Sequence, residues 1–175
     1  MEQCPVNFAP VGWTPPVSKA KNEIAEDKNW KGMLKSPIFY VMILMLLCGA
    51  NFGMMMISQA SSIAQDVTGM TLASATIVVS VLALFNGAGR VIAGYISDKI
   101  GRINTLTVML VLAVAALLLL YFCPVGGFVQ FYIGIALVGV CFGSFMGVYP
   151  GFTADRFGAK NNSVNYGIMF IGFAL

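Results

Sequence analysis

Charged residues are scarce in this sequence, and histidine is absent from it. Asp, Glu, Lys and Arg together make up 10% of the 175 residues, whereas a soluble domain devotes about a quarter of its residues to charge. Hydrophobic residues reach 58%, and the mean hydropathy is +0.84. This composition excludes an ordinary soluble domain and indicates a membrane protein. Without histidine the chain lacks the commonest metal ligand and the commonest general base, so we expect no metal site.

Cysteine is also sparse, and its positions suggest no pairing. Cys4, Cys48, Cys123 and Cys141 form no C-x-x-C motif, and three of them lie in apolar runs. We expect free thiols that pack as small hydrophobic groups, without a disulfide or a zinc site.

Residues 1–36 combine prolines, tryptophans and mixed charge and contain no short apolar core, so we expect no secretory leader there. The sequence instead predicts a cytoplasmic linker segment over 1–36.

Long stretches without charge divide the rest of the chain. Residues 36–65, 67–89 and 103–154 contain no charged side chain, and a membrane-spanning helix needs roughly 20 apolar residues. The sequence therefore predicts an all-α polytopic membrane protein with transmembrane helices at about 37–59, 72–97, 103–123, 127–152 and 163–175. The last helix is only about 20 Å long and does not cross a core of about 30 Å. We therefore expect the chain to end inside a helix.

Lysine and arginine are confined to one side of this predicted topology. If residues 1–36 are cytoplasmic, the basic loops at 99–102 and 156–160 are cytoplasmic as well, and the two opposite connections contain no basic residue. Nine of the ten basic residues then lie inside, as the positive-inside bias requires. This predicts a multi-pass protein of the cell membrane with a cytoplasmic N-terminal segment. The tenth basic residue, Arg90, lies within a span.

Glycine recurs every four residues in the fourth predicted span, at Gly139, Gly143, Gly147 and Gly151. This spacing keeps small residues near one face and lets another helix backbone approach closely. Tight helix packing is the first interpretation of this glycine stripe. Flexing of the helix during a conformational change is the alternative.

A compact motif, Gly94-x-x-x-Asp98-Lys99-x-Gly101-Arg102, lies at the cytoplasmic end of the second predicted span and before the third. Gly101 permits a tight backbone turn, and Asp98 can pair with a basic residue or cap a helix. The two cations of the motif can hold neighbouring helix ends or lipid headgroups. The motif therefore predicts a short, charged turn between two membrane helices.

This motif resembles the cytoplasmic loop signature of the major facilitator superfamily, G-x-x-x-D-[RK]-x-G-R-[RK], with Ile103 replacing the final basic residue. A weaker echo, DRFGAK at 155–160, follows two helices later. Further stretches are similar to the oxalate/formate antiporter group of that superfamily: GWTPP at 12–16, residues 30–40, residues 85–102 and NYGIMF at 165–170. The resemblance implies a truncated C-terminal half of a twelve-helix transporter: the central linker, helices seven to ten and the start of helix eleven.

Arg90 stands where an arginine is unfavourable by roughly 2.5 to 3.5 kcal/mol, near the middle of a membrane helix. One interpretation is that its side chain snorkels towards the interface or pairs with a carbonyl. The other is that it faces a water-filled cavity and binds the carboxylate of an anionic substrate. Asn86, one turn earlier, and nearby glycines favour the cavity, and the predicted spans contain no Asp or Glu that would neutralise the arginine.

The resemblance implies that Arg90 contributes to carboxylate binding together with a lysine of helix eleven. At that lysine position this sequence has Phe173, so one cation is missing. A dianion such as oxalate would lose a strong charge partner in a low-dielectric cavity. We therefore expect a monocarboxylate, or another singly charged or mixed polar and apolar substrate. Asn51 is a further candidate for the cavity, and the Asp98 to Arg102 turn is expected to act as a conformational latch.

Together these features predict a secondary transporter, either an antiporter or a symporter, that moves small organic anions by alternating access and catalyses no reaction. The expected partners are the anion, the lipid bilayer and a missing N-terminal transporter half, with no cofactor and no nucleic acid. Coupling stays open between anion exchange and a proton-carrying group outside this sequence. The alternatives are a non-transporting fragment or half-size subunit that needs a partner half, and a half-size chain that dimerises.

Overall fold

The computed structural model describes residues 27–174, which are helical with short connections and contain no strand. Four helices in this range are long and apolar enough to cross a bilayer: α2 (Pro37–Thr68), α3 (Leu72–Ile100), α4 (Arg102–Tyr121) and α5 (Phe128–Phe157). Three shorter helices accompany them: α1 (Trp30–Leu34), α6 (Asn162–Met169) and α7 (Ile171–Ala174). The predicted all-α polytopic fold is confirmed.

Two predicted spans differ most from the helices in the structure. The first was expected to end near Gln59, but α2 continues to Thr68 and ends at Gly69, which has φ 73° and whose N–H donates to the Gln65 carbonyl. Hydropathy falls after Gln59, yet the Ala, Ser and Gln residues that follow are compatible with a helix. The predicted last span, 163–175, consists of α6 and α7, which meet at Phe170.

The predicted linker over 1–36 is described only in its last part. Residues 27–36 contain the short helix α1 and lead directly into Pro37, the first residue of α2. Residues 1–26, which include Cys4 and the GWTPP stretch, lie outside the described residues, as does Leu175.

Helix α5 is the centre of the bundle. Fifteen of its residues are buried, compared with nine in α2, seven in α3 and six in α4. It packs against α2, α3 and α4. Large apolar side chains on the outer faces of α3 and α4, such as Val91 and Val111, remain exposed, which is expected of surfaces that face lipid.

The bundle has one charged end and an opposite end without lysine or arginine. The charged end comprises residues 27–36, 98–102 and 155–162, and the opposite end comprises 66–71 and 122–127, where Asp66 is the one charged residue. At this opposite end the Gly126 N–H donates to the Thr68 carbonyl at 3.2 Å, which brings the two connections together. Every described lysine and arginine except Arg90 lies at the charged end.

Candidate functional site

The glycine stripe of α5 lies against the backbone of α3. A Cβ added at Gly147 would be 2.6 Å from the Arg90 carbonyl oxygen, closer than real Cβ atoms approach. A Cβ at Gly143 would be closer still to the Asn86 carbonyl oxygen, and Gly139 likewise has no room for one. The absence of side chains on this face of α5 therefore sets the position of the two α3 residues that the sequence marks as anion-binding candidates.

Arg90 and Asn86 contact each other across one turn of α3. The Arg90 Nε donates to the Asn86 Oδ1 at 3.3 Å. Asn86 is buried, whereas Arg90 is exposed. Arg90 lies about 15 Å along α3 from Ile100, where the helix reaches the charged end of the bundle. Within residues 27–174 neither Nη group of Arg90 has a hydrogen-bond partner, and no carboxylate pairs with it. Two parallel donors are therefore free, an arrangement that matches the two oxygens of a carboxylate.

An aromatic wall, formed by Tyr166, Phe170, Phe173 and Phe142, extends along α6 and α7 to α5. The Tyr166 and Phe170 ring centroids are 5.7 Å apart. The Phe170 ring stacks on Phe173 at 4.9 Å, and Phe173 stacks on Phe142 of α5 at 6.5 Å. Only Phe173 of these rings was singled out from the sequence. The three-to-four-residue spacing of the aromatics at 166, 170 and 173 is the signal that predicts their common face.

Asn51 is not brought to this group of residues. It lies on the exposed side of α2, whereas Gly49 and Gly53 face the phenylalanines of α5. Its Nδ2 donates to the Leu47 carbonyl within the same helix at 2.9 Å. A role for Asn51 in a cavity stays a prediction that depends on what covers this side of α2.

At the charged end, Arg102 connects the end of α3 to the end of α5. Its Nη1 lies 2.8 Å from the Asp98 Oδ1, and its Nε lies 3.0 Å from the Asp155 Oδ2. The guanidinium also donates to the Ser97 hydroxyl, and its side chain is only 22% exposed. Gly151, the last glycine of the stripe, leaves room for it, since a Cβ there would be 3.0 Å from the guanidinium carbon.

The echo of the loop motif repeats the motif's backbone geometry. Gly101 ends α3 with φ 90° and ψ 153°, and Gly158 ends α5 with φ 88° and ψ 154°. A positive φ favours glycine, which explains why both turns place one three residues after an aspartate. The Gly94 carbonyl accepts from the Ser97 hydroxyl at 2.8 Å and so adjoins the Arg102 network. Lys99 lies outside this network, with its Nζ 4.4 Å from the centre of the Tyr95 ring.

Comparison with known proteins identifies the family. The family model described as Major Facilitator Superfamily matches residues 6–175. The chain is 31% identical over 158 residues to the "Uncharacterized MFS-type transporter YhjX" of Escherichia coli strain K12, covering 90% of this chain and 39% of that protein. It is 30% identical over 152 residues to an "Oxalate:formate antiporter" of Oxalobacter formigenes, covering 86% and 36% respectively. The chain thus spans less than two fifths of the length of either relative. It belongs to the major facilitator superfamily.

Proposed function

We propose that this chain is the C-terminal part of a secondary transporter that moves small organic anions by alternating access, without covalent chemistry. One observation carries the proposal: Arg90 stands deep in a membrane helix with both Nη groups free and no carboxylate partner among residues 27–174. A charge at this depth is stabilised by water or by a bound counter-ion. Both relatives are named as transporters, and the name of one includes oxalate and formate, which supports an anionic substrate.

The proposal assigns the opposite wall of the binding cavity to an N-terminal half. Both relatives are more than twice as long as this chain, and transporters of this kind bind their substrate between two structural repeats. In this arrangement residues 1–36 form the linker between the halves. The charged end faces the cytoplasm, in keeping with the positive-inside bias.

We further propose that the substrate is a monocarboxylate. Arg90 is the one cation of the four long helices that lies away from the charged end of the bundle, and Phe173 occupies the position where the resemblance implies a lysine. The stacked rings of the aromatic wall offer no positive charge to a second carboxylate. They do offer an apolar surface to the body of a singly charged acid.

Counterflow in proteoliposomes tests this preference. The assay uses a chimera in which this chain replaces the aligned segment of the Oxalobacter formigenes antiporter, so that both halves are present. We expect labelled formate and acetate to exchange faster than oxalate. Phe173→Lys should shift the ratio towards oxalate by at least about tenfold, or about 1.4 kcal/mol, because it adds a second cation to the aromatic wall.

Phe173→Leu is the matched control, since it removes the ring without adding charge and should not favour oxalate. Oxalate as the preferred substrate of the unaltered chimera would contradict the monocarboxylate assignment. If none of the three anions exchanged although the chimera inserted normally, the proposed function itself would be wrong.

The Arg102 network gives a second prediction, in which the charged end acts as a latch. Asp98→Asn and Asp155→Asn should each slow counterflow several-fold while changing anion affinity little, because each removes one ion pair between helix ends far from Arg90. Each exposed pair contributes only about 0.2–1 kcal/mol to stability, so both variants should fold. Asp66→Asn is the control, because Asp66 lies in the last turn of α2, at the end of the bundle opposite Arg102. Loss of anion binding in a normally inserted Asp155→Asn protein would argue against a latch.

A further inference from the structure

The segment that precedes the first spanning helix is held against the charged end of the bundle. We refer to residues 27–36 as the strap. The Lys28 N–H donates to the Phe157 carbonyl at 3.0 Å, and the Lys28 carbonyl accepts from the Asn165 Nδ2 at 3.0 Å. The Asn29 side chain accepts a further hydrogen bond at 2.9 Å from the α5–α6 turn. The position of the strap is therefore fixed by bonds to α5 and α6.

The helix of the strap, α1, has one buried face and one exposed face. Met33 is 0% exposed and belongs to the apolar core at this end of the bundle. Lys31 and Lys35, each two positions from Met33, lie on the opposite side and are exposed, and Trp30, next to Lys31, is 45% exposed. The Lys31 Nζ lies 5.3 Å from the centre of the Trp30 ring. The indole and the Lys31 ammonium group thus lie together on an outward surface that continues to Lys35, one helical turn after Lys31.

The chain itself sets the depth of this surface relative to the bilayer. Helix α2 begins at Pro37, directly after the strap, and its first turn already exposes Ile38 and Tyr40 at 45% and 59%. Such exposed apolar and aromatic side chains mark the beginning of lipid contact. Helix α1, immediately before them, therefore lies at the level of the headgroups, where tryptophan is enriched in membrane proteins.

The lysines of α1 have no carboxylate partner in the described range. Both ion pairs of residues 27–174 use Arg102. The one acid of the strap, Asp27, faces the α5–α6 turn, where its Oδ1 accepts from the Lys160 N–H at 3.4 Å. The exposed face of α1 is therefore a positive surface at headgroup depth.

We propose that this face, formed by Trp30, Lys31 and Lys35, is a binding surface for the headgroups of anionic phospholipids. Lys31 and Lys35 are four residues apart, one turn of helix, so both ammonium groups can contact phosphates beside the same indole. Each basic residue near an anionic leaflet strengthens the attraction about fivefold. A zwitterionic headgroup carries no net negative charge, so its attraction to the two lysines is weaker.

Quenching of tryptophan fluorescence by brominated lipids tests the proposal. Trp13 and Trp30 are the two tryptophans of the chain, so Trp13→Phe leaves Trp30 as the single reporter. The full chain is reconstituted in mixed phosphatidylcholine and phosphatidylglycerol bilayers, with bromine on the acyl chains of one lipid or the other. We expect brominated phosphatidylglycerol to quench at least about threefold more per lipid molecule than brominated phosphatidylcholine.

The lysine variants distinguish binding by α1 from a general effect of surface charge. The lipid preference is the ratio of quenching by brominated phosphatidylglycerol to quenching by brominated phosphatidylcholine. In Lys31→Gln/Lys35→Gln this ratio should fall to nearly one, whereas Lys31→Arg/Lys35→Arg should keep it above one. Lys99→Gln, which removes a cation from the α3–α4 turn, should leave the preference unchanged. Equal quenching by the two lipids in the Trp13→Phe chain would overturn the proposal. So would a preference that survives the double glutamine substitution, or one that the double arginine variant loses.

Discussion

Arg90→Gln in the chimera is expected to abolish monocarboxylate counterflow and to lower anion affinity at least about 100-fold. The substitution leaves the carboxylate without its charged partner, and truncating one member of a buried charge pair costs roughly 2–5 kcal/mol. Equilibrium binding of labelled formate and counterflow, measured on the same preparation, separate the loss of binding from a loss of exchange. Arg90→Lys should retain part of the affinity, because lysine keeps the charge but not the two parallel donors.

The same substitution separates the two interpretations of Arg90. If its side chain merely snorkels to the interface, Arg90→Gln removes an unfavourable charge from a membrane helix, and the protein should become more stable while anion affinity stays unchanged. If Arg90 binds the substrate, affinity falls whatever happens to stability. Arg156→Gln, which removes an arginine at the charged end, is the control and should change neither quantity appreciably.

Features that depend on hydropathy and on local backbone chemistry could be predicted from the sequence. The charge-free runs locate all four long helices, because a bilayer core requires continuous apolar helix. The glycines of the loop motif and of its echo end α3 and α5 at positive φ, a requirement that is local to each turn. The extension of α2 to Thr68 was missed because hydropathy ends before the helix does.

Contacts between distant parts of the chain could not be predicted in the same way. Arg102 and Asp155 are separated by 53 residues, and neither the loop motif nor its echo indicates that the two residues are in contact. The docking of the strap onto Asn165 likewise depends on how α5 and α6 are packed. For the candidate site, the sequence identified Arg90 and Asn86, whose contact lies within one helical turn. The partners of Phe173 required the three-dimensional arrangement of α5 and α7.

Gly143→Ala should be the most damaging single-atom addition on α5. The new Cβ would meet the Asn86 carbonyl, and a backbone atom cannot rotate away as a side chain does. Helices α3 and α5 would have to separate, and forced overpacking of this kind typically costs about 1–3 kcal/mol. Small residues at the interface are what permits close packing of membrane helices. We expect a marked loss of thermal stability in detergent micelles.

Gly87→Ala is the matched control for this prediction. Gly87 lies on α3 one residue after Asn86, but a Cβ there would meet nothing within 4 Å. Alanine also favours the helix by about 1 kcal/mol over glycine, so Gly87→Ala should be neutral or stabilising. A Gly143→Ala protein as stable as the Gly87→Ala protein, but slower in counterflow, would support the flexing interpretation of the stripe instead.

The Gly143 variant also tests whether packing and anion binding are linked. The backbone that Gly143 and Gly147 contact carries Asn86 and Arg90, so separation of α3 from α5 moves the guanidinium away from the aromatic wall. Anion affinity of Gly143→Ala should therefore fall together with its stability, whereas Gly151→Ala, whose nearest contacts are atoms of the flexible Arg102 side chain, should preserve affinity. If affinity survived a destabilising Gly143→Ala substitution, the position of Arg90 would not depend on the stripe.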